Sequence, residues 1–175
     1  MKIEIERTYL LKYFPKDLNN YPFKDYLDIY FPTSAFHPII RVRKRGNDCE
    51  ITKKYAIKAG DASQQYEFTI PLTVEEFNEL ENSIKGKRSH KHRYFYQWQG
   101  LPAEIDIYQD NLKGLNIVDF EFNDPLTKDK FEMPDFCLIE VTQEKNLAGG
   151  MIVGKNIQQI QPILDKYGYK PFVSS

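Results

Sequence analysis

Lys2-Ile3-Glu4-Ile5-Glu6-Arg7-Thr8-Tyr9-Leu10-Leu11-Lys12 opens the chain with acidic residues two apart and an apolar residue between them. In a β-strand, residues two apart share a face, so Glu4 and Glu6 point one way and Ile5 the other. The same rule recurs at Arg41-Val42-Arg43, Lys91-His92-Arg93, Glu104-Ile105-Asp106 and Asp119-Phe120-Glu121. Any one of these runs reads as an ordinary strand with a wet face. The set says more, because acidic and basic pairs are scattered over most of the chain. If the strands close into one barrel with charges inward, the lumen is a polar tunnel lined by carboxylates and cations together. Carboxylates hold hard divalent metals, and Arg or Lys holds phosphate, so such a tunnel fits a metal–polyphosphate ligand.

The bulk properties are compatible with that reading. A length of 175 residues predicts a single domain, 1–175, large enough for a closed barrel. The net charge of −1 offers no basic surface for nucleic acid. Cys49 and Cys137 have no metal-type spacing and form no disulfide framework. No apolar run approaches the ~20 residues of a membrane span. Met1-Lys2-Ile3-Glu4 lacks the apolar stretch of a signal peptide. A cytoplasmic protein that engages neither nucleic acid nor membrane is expected, and a homodimer is allowed.

Strand signals dominate. After Lys2–Lys12, which turns at Pro15, strands are expected at Asp25–Phe31, Ile39–Arg45, Glu50–Ile57 and Gln65–Ile70, the last stopped by Pro71. Others follow at Arg88–Trp98, Ala103–Tyr108, Leu115–Phe122 and Leu138–Thr142. Gly46-Asn47-Asp48 and Gly100-Leu101-Pro102 are turn signals. Eight or nine strands with short antiparallel connections favour a barrel, since closure removes exposed edges. Thr73 and Glu76 form a capping box before an amphipathic helix bearing Val74, Phe77, Leu80 and Ile84. Asn156–Tyr167 has helical spacing, broken by Pro162, and Pro125–Phe131 allows a short helix. The fold class is therefore mainly β: a closed eight-stranded antiparallel barrel with flanking helices.

Taken in order, these blocks resemble a known family. Glu4-Ile5-Glu6-Arg7 is similar to the E-x-E-x-K signature of the CYTH superfamily, the triphosphate tunnel metalloenzymes. It is followed by Arg41-Val42-Arg43 with Gly46, Ile51-Thr52-Lys53-Lys54, Glu67-Phe68-Thr69-Ile70-Pro71, Lys91-His92-Arg93-Tyr94, Glu104-Ile105-Asp106, Asp119-Phe120-Glu121, Glu140-Val141-Thr142 and Asn146-Leu147-Ala148. The layout looks most like the short bacterial members, many of which are inorganic triphosphatases.

The resemblance implies a tunnel that binds triphosphate with Mg2+ or Mn2+. By position, Arg41, Arg43, Lys54, Lys91 and Arg93 would bind phosphate oxygens. Glu4, Glu6, Asp119 and Glu121 would hold metal. Glu67, Glu104, Asp106 and Glu140 would orient the cations or reach the metal through its waters. Glu4, Glu6, Lys54 and Lys91 are expected to take part in the reaction, hydrolysis of a terminal phosphoanhydride. Two positions depart from the pattern. Thr8 replaces the lysine of E-x-E-x-K, and Thr69 replaces a glutamate. The pair is readable as a matched loss of a cation and an anion that leaves the lumen charge balanced, while the resemblance implies that loss of the lysine lowers activity. Lys53 competes with Lys54 for the inward position if the preceding turn carries a bulge. Arg45, Lys44 and Arg88 read as peripheral, His90 and His92 as surface residues facing away from Lys91, and His37 as a loop residue. The aromatic residues Tyr26, Tyr30, Phe31, Tyr94, Phe95 and Trp98 read as outer-wall packing. The partner is then a small-molecule triphosphate or nucleoside triphosphate. The alternatives are a class IV adenylyl cyclase and a noncatalytic polyphosphate- or nucleotide-binding protein.

Overall fold

In a computed structural model, which describes residues 1–173, nine strands alternate with a few short helices. The strands are β1 (Lys2–Leu11), β2 (Phe23–Phe31), β3 (Ile40–Arg45), β4 (Asp48–Ala56), β5 (Gln64–Leu72), β6 (Lys87–Trp98), β7 (Leu101–Tyr108), β8 (Asn116–Glu121) and β9 (Cys137–Glu140). They pair in the order β5-β4-β3-β2-β6-β7-β8-β1-β9, and a further β1–β5 pairing closes the first eight into an antiparallel barrel. One edge of β1 serves two partners. Lys2–Ile5 pairs with β5, and Tyr9–Leu11 pairs with β9. The expected eight-stranded barrel is the one found.

Turn chemistry fixes the registers. Gly46-Asn47 connects Arg45 to its partner Asp48, with Gly46 at φ +66 as the first central residue. Gln99-Gly100 joins Trp98 to Leu101, and both turn residues have positive φ. The second turn therefore lies one residue earlier than its signal, and Leu101 and Pro102 already belong to β7.

The barrel is polar inside and apolar outside. Ile5, Tyr9, Ile105, Val118 and Phe120 point outward into a cluster with Phe136. Helix α1 (Val74–Ser83), opened by the expected Thr73–Glu76 capping box, covers another sector. Its fully buried Phe77 joins Ile29, Val42 and Cys49 there. At one end the inward positions change from charged to apolar. Leu10, Tyr108 and Ile117 join Leu147, Ile152, Ile160 and Leu164 in one buried cluster that fills that end. Three short helices follow β8: α2 (Pro125–Asp129), α3 (Gly149–Ile152) and α4 (Ile157–Lys166). The last two carry Ile152, Ile160 and Leu164 of that cluster.

Two prolines do not act as the breakers expected. Strand β5 runs through Pro71 to Leu72. Beyond Glu67 it pairs with β4 alone, so a missing N–H is tolerated on its open edge. Helix α4 runs through Pro162, held on either side by the fully buried Ile160 and Leu164.

Candidate active site

The inward faces surround a cavity of about 890 Å³. Its wall follows from strand alternation. Strand β1 contributes Glu4, Glu6 and Thr8, β3 contributes Arg41, Arg43 and Arg45, and β6 contributes Lys91 and Arg93. Glu104 and Asp106 come from β7, Asp119 and Glu121 from β8, and Glu67 and Thr69 from β5. Glu50, Thr52 and Lys54 line it from β4, which settles the choice between Lys53 and Lys54. Lys53 instead lies over the Tyr55 ring, 5.0 Å from its centroid.

Strand order sorts these charges. The sector β4-β3-β2-β6 carries the cations, and the sector β7-β8-β1-β5 carries most of the carboxylates. Ion pairs form along the two seams. At β6/β7, Arg93 donates from Nε and Nη2 to Asp106 at 2.6 Å each and also pairs with Glu104, while Lys91 pairs with the same Asp106. At the other seam Lys54 pairs with Glu4 and lies 3.4 Å from Glu67.

Within the cationic sector, Arg43 is fixed by Asp28, a residue that the charge-pair pattern did not single out. Nε and Nη2 donate to its two carboxylate oxygens at 2.6 and 2.8 Å. Burial opposes the Asp28 charge, but Arg43 outweighs it and holds that carboxyl well below its usual range. The signal was the alternation Tyr26-Leu27-Asp28-Ile29-Tyr30, which puts Asp28 inward with two tyrosines. Those tyrosines line the cavity rather than the outer wall, because each pairs with a lumen residue: Tyr26 with Lys91, and Tyr30 with Arg41. The Tyr26 ring lies under Arg43 and Arg93, 4.6 and 5.2 Å from their guanidinium carbons. Glu50 was also missed, and it explains Arg45. That arginine is not peripheral but lines the cavity and donates to Glu50 at 2.9 Å. Arg88 is peripheral as expected, donating to Glu81 at 2.5 Å.

Arg41 is the least satisfied lumen cation. Its nearest acid is Glu50 at 3.8 Å, already engaged by Arg45. Its buried Nε has no hydrogen-bond partner among the described residues, and neither does the buried Oγ1 of Thr52, its cross-strand neighbour. Unpartnered buried donors are costly, so this corner is suited to an anionic ligand.

The acidic sector has the opposite imbalance. Burial raises the Glu6 carboxyl to about 8, Lys54 opposes the shift, and the nearby Glu4 and Asp119 add to it. Burial likewise lifts Asp119 to about 6 against the pull of Arg93. Buried, crowded carboxyls that resist ionising, with oxygen as their only ligand atom, fit a hard divalent cation whose charge would favour their ionised form. Burial and then the Glu104 charge raise Glu121, which sits across from Glu6.

Thr8 and Thr69 do not meet. Thr8 pairs across β1/β8 with Asp119 and donates to it at 2.7 Å, whereas Thr69 lies opposite Thr52 and donates to Glu67 at 3.2 Å. Glu140 is not in the lumen. It pairs in register with the outward Tyr9, so it too points outward, where it pairs with Arg7.

An eight-stranded antiparallel barrel with a cation-lined wall facing a carboxylate-lined wall defines the triphosphate-tunnel class of protein. The chain is 31% identical over 145 residues to the inorganic triphosphatase of Nitrosomonas europaea, covering 81% of this chain and 91% of that one. It belongs to the CYTH, or triphosphate tunnel, family of that protein. A solved inorganic triphosphatase structure superposes with a TM-score of 0.63 at 23% identity, over 87% of this chain and 95% of that chain. A protein from Pyrococcus horikoshii OT3 shares the fold with a TM-score of 0.51 at 15% identity, over 95% of this chain and 91% of the other. No protein-family model matches the sequence.

Proposed function

We propose that this protein hydrolyses inorganic triphosphate, or a closely related triphosphate compound, inside the barrel with a divalent metal, Mg2+ or Mn2+. The observation that carries the reading is the unpartnered Arg41 and Thr52 corner on the cationic wall, facing the under-neutralised carboxylates of Glu6 and Asp119. Relationship to an inorganic triphosphatase supports the same substrate class.

Arg41, Arg43, Lys91 and Arg93 bind the phosphate chain, and Lys54 reaches it from the seam. The paired N–H groups of arginine suit phosphate oxygens, while lysine supplies compact charge. Asp28 and Asp106 hold Arg43, Lys91 and Arg93 in place before substrate arrives, which lowers the ordering cost of binding. Thr52 adds a hydroxyl donor beside Arg41. Glu4, Glu6, Asp119 and Glu121 are the metal-holding set. Held by those four carboxylates, a divalent ion would supply charge neutralisation at the phosphoryl group and a more acidic water. Lys54, already paired with Glu4, ties the metal side to the phosphate side. We place this activity in the cytoplasm; among the described residues no helix is long and apolar enough to cross a membrane.

The test is a phosphate-release screen of triphosphate, ATP, thiamine triphosphate and long-chain polyphosphate with Mg2+ and Mn2+. Phosphate should appear from triphosphate with either metal. Cyclic AMP from ATP would reassign the tunnel to a cyclase. Tight triphosphate binding with no product would make it a noncatalytic binder, the reading that Thr8 favours.

A further inference from the structure

On the outer face of the barrel, away from the lumen, three side chains converge. His90 and His92 alternate with Lys91 on β6, so both point outward, and Asp25 on β2 is the cross-strand partner of His92. One ligand atom from each of Asp25, His90 and His92 lies within 4.8 Å of the other two, the one such set among the described residues. The Nε2 atoms of both rings approach the same oxygen of Asp25, at 2.6 Å from His90 and 3.3 Å from His92. The other nitrogen of His90, Nδ1, lies 3.1 Å from a carboxylate oxygen of Asp110 in the turn after β7. That turn is itself tied to β6, since the backbone N–H of Gln109 donates to the carbonyl of His90 at 2.9 Å. The His92 ring packs on Phe23, with centroids 4.9 Å apart, which limits its rotation.

We propose that Asp25, His90 and His92 form an external binding site for a first-row transition metal ion of the Zn2+, Co2+ or Ni2+ type, separate from the tunnel. Two imidazole nitrogens and one carboxylate aimed at one point are the donor set such ions take, and Mg2+ is not selected by it. Without metal both ring nitrogens of His90 donate, Nε2 to Asp25 and Nδ1 to Asp110. An ion would displace the Nε2 proton, while Asp110 would keep the ring oriented by accepting from Nδ1–H, as is common for metal-bound histidines. Both rings are about one-third exposed, so an ion can enter and keep water in its remaining positions. The site bridges β2 and β6 behind Lys91 and Arg93, and its occupation clamps the strand that carries those two cations. Nothing in this proposal depends on the reaction inside the barrel.

The experiment uses the full chain stripped with chelator and then titrated with Co2+ or Zn2+ in phosphate-free buffer containing excess Mg2+ to occupy the tunnel carboxylates. Binding is read from the visible absorption of Co2+, from competition with a chromogenic chelator for Zn2+, and from the histidine ring signals by NMR. One ion should bind, and the His90 and His92 rings should broaden with Co2+ while His37 does not. His92→Gln should weaken binding at least about tenfold and Asp110→Asn by roughly ten- to a hundredfold, whereas Glu6→Gln should leave it unchanged. Equal broadening of all three histidines, equal uptake by wild type and His92→Gln, or loss of uptake only in Glu6→Gln would each overturn the assignment. The ring signals are read on the unmodified protein, so a variant that failed to fold would not protect the proposal.

Discussion

Single side chains decide how the lumen holds its charge. Asp28 is nearly fully buried and is engaged at both oxygens by Arg43. Removing one partner of a buried pair strands the other, so Asp28→Asn should cost about 3–5 kcal/mol at pH 7 by urea denaturation. The folded-state affinity of Asp28 for protons is depressed below its ordinary 3.8, so its contribution is present above that value. It is lost as pH falls through the depressed value, and the gap between wild type and variant should therefore be constant from pH 8 to about 4 and shrink below. Thr8 is the other informative side chain. A lysine there would face Asp119, the present hydrogen-bond acceptor of Thr8, so it needs no glutamate at position 69. Thr8→Lys should raise the rate of triphosphate hydrolysis several-fold, and Thr8→Ala should change it little. A lower rate in Thr8→Lys would mark Thr8 as part of a working variant site. The alternation made the charged face of β1 readable from sequence, but the partner of Thr8 was not. Thr8 and Asp119 lie 111 residues apart in the chain, and only closure brings them together.

At the level of elements, β1 and the last helix set the closed end of the cavity. Strand β1 carries Glu4, Glu6 and Thr8 inward and then Leu10, and the apolar plug begins at Leu10. Helix α4 contributes Ile160 and Leu164 to that plug, both fully buried. Ile160→Ala should destabilise the protein by about 2–5 kcal/mol, read by urea denaturation, since the packed cluster leaves little room to collapse around the gap. An unchanged midpoint would mean that the plug is not part of the cooperative unit. The strands themselves were legible because alternation and two-residue turns are local signals. The behaviour of Pro71 and Pro162 was not, because tolerance of a missing N–H depends on whether that edge has a partner and on the packing that holds the segment.

For the molecule as a whole, the consequence is two walls of opposite sign around one cavity, each incomplete without a ligand. Hydrolysis should vanish with excess chelator and return with Mg2+ or Mn2+. Undiminished turnover in chelator would remove the metal from the proposal. The two walls should also respond separately to mutation. Arg41→Ala removes a charge-assisted contact of about 1.5–3 kcal/mol, so triphosphate should bind roughly ten- to a hundredfold more weakly by isothermal titration. Glu121→Gln should instead raise the metal concentration needed for activity and leave metal-free triphosphate binding intact. Equal loss of metal-free binding in both variants would contradict the division. The sequence by itself determined the strands, their inward charged faces and the barrel class, because a period of two and the turn residues are written in neighbouring positions. Tertiary structure alone decided that Asp28 and Glu50 restrain Arg43 and Arg45, that Glu140 lies outside with Arg7, and that Asp25, Asp110 and two histidines meet on the outer wall. Those arrangements depend on which strands become neighbours and on the register between them, and both are set when the barrel closes.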